Sequence, residues 1–150
     1  MDKKITKEIK STLDLIDFKL QPISVNSEKG LPLKINEASL FKIQTGSALK
    51  GYFYFGQAKG KAAKFDFIVI FDKDLIVAKV KLMVYRESYG GEIGSFRWLR
   101  QFIGLAPTSS VVYKKDIAGI SGATISASSL TRAVNKLLQT ISILKEKHIL

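Results

Sequence analysis

The sequence predicts an α+β domain: an antiparallel sheet of hairpins covered by a short aromatic helix and a long C-terminal helix. Three observations lead there. Between Leu40 and Tyr85, segments rich in β-branched and aromatic residues follow one another with turn residues between them. After Gly91, the apolar residues Phe96, Leu99, Phe102 and Ile103 return at the spacing of a short helix. From Leu130 on, Val134, Leu137, Ile141 and Leu144 continue one apolar stripe, with Arg132, Lys136 and Lys145 off it. Strands first and helices afterwards make a sheet with helices packed on it rather than an alternating βαβ fold.

Each element has a local reason. Ile5, Ile9, Leu13 and Ile16 recur at helical spacing from Lys3 to about Asp17, so an amphipathic helix is expected there, packed on the sheet or lying on a membrane surface. Pro22, Asn26, Ser27, Gly30 and Pro32 mark Phe18 to Pro32 as an extended, turn-rich connection. Residues 1–35 are therefore a helix and lead-in, and residues 36–150 the main domain. Strands are expected over Leu40–Thr45 and Leu49–Gln57 around the Gly46-Ser47-Ala48 turn. A second pair, Phe65–Phe71 and Ile76–Tyr85, flanks Asp72-Lys73-Asp74. In the last of these Ile76, Ala78, Val80, Leu82 and Val84 alternate with Lys79 and Lys81, the pattern of a half-buried antiparallel strand. Gly104 and Pro107 end the aromatic helix, and Val111–Tyr113 is short enough to be a last strand.

Composition narrows the function. A chain of 150 residues that is 46% hydrophobic builds one core. It has no cysteine, which removes disulfides, thiolate catalysis, Cys-ligated zinc and iron–sulfur clusters. The one histidine, His148, is a tail residue, so neither a His-rich metal site nor a Ser-His-Asp triad can be assembled. The net charge of +11 reads as a lysine-rich solvated surface. Anionic lipid headgroups or an acidic partner are the functional alternative, and nucleic acid is not expected as a partner. No apolar run is long enough to span a bilayer, and the N-terminus lacks the hydrophobic stretch of a signal peptide. Gly56, Lys59, Gly60 and Lys61 are too sparse for a phosphate loop.

One stretch points to chemistry. Residues 121–128 read Ser-Gly-Ala-Thr-Ile-Ser-Ala-Ser and run directly into the C-terminal helix. Gly122 permits a backbone conformation closed to other residues, and Ala123 keeps the approach uncluttered. The hydroxyls of Ser121, Thr124, Ser126 and Ser128 can then gather at a helix N-terminus, a place receptive to phosphate. The plainer reading makes Ser126 or Ser128 an ordinary N-cap.

A second stretch, Arg-Glu-Ser-Tyr-Gly-Gly-Glu-Ile-Gly-Ser-Phe-Arg-Trp-Leu-Arg-Gln-Phe over 86–102, precedes it. Together the two resemble the FMN-binding domain family, which includes the flavin-carrying subunits of the sodium-pumping NADH:quinone oxidoreductase and of Rnf-type complexes. The likeness is strongest to its small stand-alone bacterial members and runs from about Leu49 to Leu138. The resemblance implies an electron carrier rather than a stand-alone enzyme. FMN would be joined by a phosphodiester to Thr124 through a separate flavin transferase that takes FMN from FAD. It places Ser121, Gly122 and Ala123 around the attachment. It also sets Glu87, Tyr89, Gly90 and Gly91 beside the isoalloxazine ring, with Gln101 bonded locally or to the ring. Trp98 could stack on the flavin, but an aromatic at helical spacing is more often core, and stacking is the lesser reading. The implied partners are membrane redox proteins. The implied location is extracytoplasmic, periplasmic or at the cell surface, with an export signal or anchor absent from this sequence; a cytoplasmic location is the alternative. The family usually carries Asp three residues before the serine of Ser-Gly-Ala-Thr, where this chain has Ala118; Asp116 lies two positions earlier. A domain holding FMN without a covalent bond, and a basic membrane-surface protein without flavin, are the competing readings.

Overall fold

The alternating segments pair into a five-stranded antiparallel sheet in the order β1-β2-β3-β4-β5. The computed structural model describes residues 2–25, 30–36, 38–84 and 91–150. The strands are β1 (Lys19–Pro22), β2 (Leu40–Thr45), β3 (Ala48–Lys59), β4 (Lys64–Asp72) and β5 (Val77–Val84). The helices are α1 (Lys3–Leu13), α2 (Phe96–Leu99) and α3 (Thr124–Glu146), with 3-10 turns at Gly91–Gly94 and Arg100–Phe102 flanking α2. Consecutive strands are neighbours throughout, so every connection within the sheet is a local one.

Side-chain alternation sends apolar residues to both faces of the central strands. In β4, Phe65, Phe67, Val69 and Phe71 join Tyr52, Tyr54 and Val80 under the α3 stripe of Leu130, Val134, Leu137, Leu138, Ile141 and Leu144. The intervening Ile68 and Ile70 turn to the other face, where they meet Phe53, Ile43 and the α1 residues Ile5 and Ile9. The sheet is thus sandwiched between α1 and α3, and β4 is buried on both sides as a central strand should be. Burial pushes the Tyr54 hydroxyl up to about 12, so it stays protonated in the core. Gly51 in β3 is required by proximity: a Cβ there would lie 2.3 Å from the Phe71 carbonyl oxygen and 3.0 Å from Leu13 Cδ1.

Four boundaries differ from the sequence expectation. The N-terminal helix stops at Leu13, because Asp14 takes a left-handed conformation at φ 54° and Leu15 N–H closes back onto the Lys10 carbonyl. Ile16 is consequently 93% exposed instead of continuing the buried stripe. The connection after it contains the edge strand β1, whose terminal Pro22 is tolerated because that side of the strand has no partner. In β5 a register shift opposite Ile70 and Phe71 puts Val77, rather than Ile76 and Ala78, on the α3 side with Val80. Residues 111–113 form no strand; only an isolated bridge joins Tyr113 to Ile117 inside a local turn.

Glu8 on α1 pairs with Lys79 and Lys81 on β5 and fastens the helix to the sheet. Burial alone would push its carboxyl up, but the hydrogen bonds and charges of Lys81 and Lys79 outweigh that and hold it below the ordinary value. The outer edge of β5 is covered where Gly104 N–H donates to the Val77 carbonyl and Val77 N–H to the Leu105 carbonyl. Three α3 side chains lace neighbouring segments to the helix. Ser129 Oγ accepts from Lys59 N–H at 3.0 Å, and Thr140 Oγ1 from Leu33 N–H at 3.1 Å. Asn135 accepts from Val111 N–H and donates to its carbonyl.

Candidate functional site

The Ser-Gly-Ala-Thr turn is the entry to α3, and Thr124 is the first residue of that 23-residue helix. Gly122 sits at φ +81° with open space where a side chain would be, which lets the chain reverse into the helix without crowding the turn. Ala123 occupies the N-cap position, and no side chain caps the helix. Alanine is among the poorest residues for that position because it offers no acceptor to the first-turn N–H groups. The N–H of Ala123 donates to the Ile120 carbonyl, and the helical ladder begins with Ala127 N–H on the Ala123 carbonyl. Thr124 and Ile125 therefore supply orphan N–H groups at the helix start.

The hydroxyls do not gather as the sequence suggested. Ser121 and Thr124 are exposed, whereas Ser126 is buried and Ser128 stands a turn further along, accepting from Arg132 Nη1 at 3.0 Å. Neither Ser126 nor Ser128 is the N-cap, since the helix begins before both. Of the hydroxyls considered, Thr124 alone combines exposure with a place in the uncapped turn. Ile125 beside it is 52% exposed, so the helix start opens to solvent.

The loop leading into this turn is held by the aromatic helix. Trp98 Nε1–H donates to the Ala118 carbonyl at 2.7 Å, and Gln101 Oε1 accepts from Ala118 N–H at 2.8 Å. Gln101 Nε2 donates in turn to the Trp98 carbonyl at 2.8 Å. Both ends of the Gln101 amide are thus bonded locally. Trp98 is a core residue, 3% exposed and edge-on to Phe102 with ring centroids 5.6 Å apart. The aromatic helix covers the sheet less symmetrically than its pattern implied: Trp98, Leu99 and Phe102 are buried, while Phe96 and Ile103 face out. Asp116 is occupied within its own turn, where Oδ2 accepts from Val112 N–H at 2.8 Å. Tyr113 Oη accepts from Ile120 N–H at 3.1 Å and supports the approach to Ser121.

Of the glycine-turn residues, Glu87, Tyr89 and Gly90 lie outside the described residues, as does their juxtaposition with Thr124. Gly91 opens the 3-10 turn that leads into α2. Sequence reasoning missed the clamp on Ala118. Its only trace was the spacing of Trp98 and Gln101 on one side of a short helix, which carries no sign of a partner 17 to 20 residues away.

The arrangement suits a phosphate ester. Orphan N–H groups and the positive end of a long helix dipole favour a phosphoryl group, and an exposed hydroxyl in the same turn offers the oxygen of an ester. Among the described residues no group of His, Cys, Asp or Glu side chains could hold a metal ion.

Comparison with known proteins gives the class. A family model described as the FMN-binding domain matches residues 60–139, more than half of the chain. The chain belongs to the FMN-binding domain family, and FMN is its cofactor. Among solved structures, the crystal structure of Shewanella oneidensis NqrC matches with a TM-score of 0.62 at 17% sequence identity, covering 91% of this chain and 91% of that one. At that identity the likeness is one of fold, and it reaches beyond the residues that the family model matches. No curated protein matches the chain.

Proposed function

We propose that the protein is an electron carrier outside the cytoplasmic membrane, with FMN joined through a phosphodiester to Thr124 by a separate flavin transferase. The observation that carries this reading is the exposed Thr124 at an uncapped helix start, preceded by Gly122 at φ +81°. In the attachment, the Thr124 hydroxyl loses its proton to a base of the transferase. Its oxygen forms a bond to the FMN phosphorus of FAD, the pyrophosphate bridge breaks, and AMP leaves. Nothing near Thr124 need activate it, since metal and base belong to the transferase. The first-turn N–H groups then hold the phosphodiester, and the Trp98–Ala118–Gln101 clamp keeps the loop in place.

Bound flavin exchanges one or two electrons; the protein supplies position and electrostatics. Tethering prevents diffusion of the cofactor between membrane-associated donors and acceptors, a role consistent with the fold shared with NqrC. Glu87, Tyr89, Gly90 and Gly91 are assigned to the ring side of the site on the family pattern. No described helix is long and apolar enough to cross a membrane.

Ala118 favours a second reading, in which FMN is held without a covalent bond. That position offers no carboxylate, and Asp116 is engaged with Val112 N–H instead. A visible spectrum of protein from the native host, before and after acid precipitation, separates the two. Yellow colour retained in the precipitate supports the covalent bond, colour released to the supernatant supports the second reading, and a colourless protein contradicts both.

A further inference from the structure

Arg97 and Arg100 border an open cleft of about 370 Å³, completed by Trp98, Gln101, Ala118 and Gly119. Its floor is fixed, because the Trp98 indole and the Gln101 amide are both committed to Ala118. Among the described residues its lining contains two guanidinium groups and no carboxylate. Arg100 is exposed and forms no salt bridge among the described residues, and Gly119 N–H donates to no acceptor among them. The nearest carboxylate in sequence, Asp116, is turned to Val112 N–H.

We propose that this cleft is a binding subsite for a phosphate monoester dianion, distinct from the attachment at Thr124. Guanidinium groups match phosphate oxygens with paired donors, and a rigid backbone N–H beside them adds a third direction of approach. Glycine at 119 suits such a receptor, since its backbone is bare toward the ligand; the nearest atoms to a Cβ there would be Lys114 Cγ and Tyr113 Oη, both at 3.5 Å. The cleft and Thr124 belong to one structural unit, because the loop that carries Ala118 and Gly119 runs directly into the Ser-Gly-Ala-Thr turn. That the natural ester is FMN held without a covalent bond rests on the second reading proposed above. The recognition of a phosphoryl group does not.

Trp98 is the chain's one tryptophan, so its indole N–H gives a single signal in a nitrogen–proton correlation spectrum and reports directly on the cleft floor. The full-length chain carrying Thr124→Ala, free of covalent flavin, would be titrated with FMN, riboflavin and AMP while the Trp98 indole and the Ala118 and Gly119 amides are followed. FMN is expected to shift these signals saturably, and riboflavin, which lacks the phosphate, is not. Arg100→Gln, Arg97→Gln and Ala118→Asp should each weaken the FMN response about tenfold, the loss of one charge-assisted contact at an exposed site. A matching response to AMP makes the subsite a general phosphate-ester receptor; a response to FMN alone makes the flavin its ligand. Silence toward both FMN and AMP overturns the proposal. So does an equal response to riboflavin, or unchanged affinity in both arginine variants. Failure to find FMN on Thr124 in the parent protein, read separately by mass, would overturn the attachment and leave the cleft standing.

Discussion

Replacing Gln101 by Ala separates a local role for its amide from a role on the flavin ring. The substitution removes the Oε1 acceptor of Ala118 N–H and the Nε2 donor to the Trp98 carbonyl, two bonds of 2.8 Å. Each is a neutral bond at a half-exposed site, so the stability lost is about 1 kcal/mol per bond and about 1–2 kcal/mol together. For a chain of this size that lowers Tm by roughly 2–8 °C. Calorimetry on flavin-free protein gives the stability, and hydrogen exchange gives the mechanism, because Ala118 N–H has Gln101 as its acceptor and should lose protection in the variant. Trp98→Phe keeps the ring but removes the donor to the Ala118 carbonyl, so it should raise exchange at neighbouring loop amides while Ala118 keeps its bond to Gln101. Unchanged stability and unchanged Ala118 exchange in Gln101→Ala, with an altered flavin spectrum, would refute the clamp and move Gln101 onto the ring.

Glu8→Gln should cost about 0.5–1 kcal/mol at neutral pH, as expected for a partly screened ion pair. Because the Glu8 carboxyl is held below its ordinary 4.5, that contribution is complete above 4.5 and fades as pH falls through the lower folded value. Urea midpoints of parent and variant should therefore converge in acid, and a gap independent of pH would rule out the pairing. Gly51→Ala drives a methyl to 2.3 Å from the Phe71 carbonyl, a backbone atom that cannot rotate away. A loss of about 2–3 kcal/mol in equilibrium unfolding is expected, and a neutral or stabilising effect would contradict the β3–β4 register. Asp116→Ala should destabilise by about 1 kcal/mol through the exposed Val112 N–H, whereas Ala118→Asp should speed flavin transfer by restoring a carboxylate next to the acceptor loop. Time courses of flavin incorporation alongside unfolding curves test both; a faster transfer in Asp116→Ala than in Ala118→Asp would reverse the assignment.

The parts of the fold written in period and punctuation were legible. The α3 stripe follows directly from residue spacing, because it buries one continuous face of a long helix. Elements fixed by single backbone events were not. Asp14 ends α1 through one left-handed residue, and β1 is a four-residue edge strand too short to alternate visibly. The bulge in β5 reverses the expected phase of Ile76 and Ala78 without any glycine to announce it. At the site, the backbone freedom of Gly122 could be read from the motif, since glycine takes a positive φ without strain. The place of Ser126 and Ser128 beyond the N-cap could not, because it depends on the helix starting at Thr124, and alanine at the N-cap gives no start signal. Nor could the Ala118 clamp, which joins residues by tertiary contact alone.

Peptide mass mapping after co-expression with a flavin transferase and FAD tests the central claim most directly. The peptide containing Thr124 should gain the mass of one FMN less water. Thr124→Ala should abolish the gain, and Thr124→Ser should retain it because the attacking oxygen survives. Should the gain persist in Thr124→Ala, or map to Ser121 in the parent, the assignment of the exposed Thr124 hydroxyl as the attachment point is wrong.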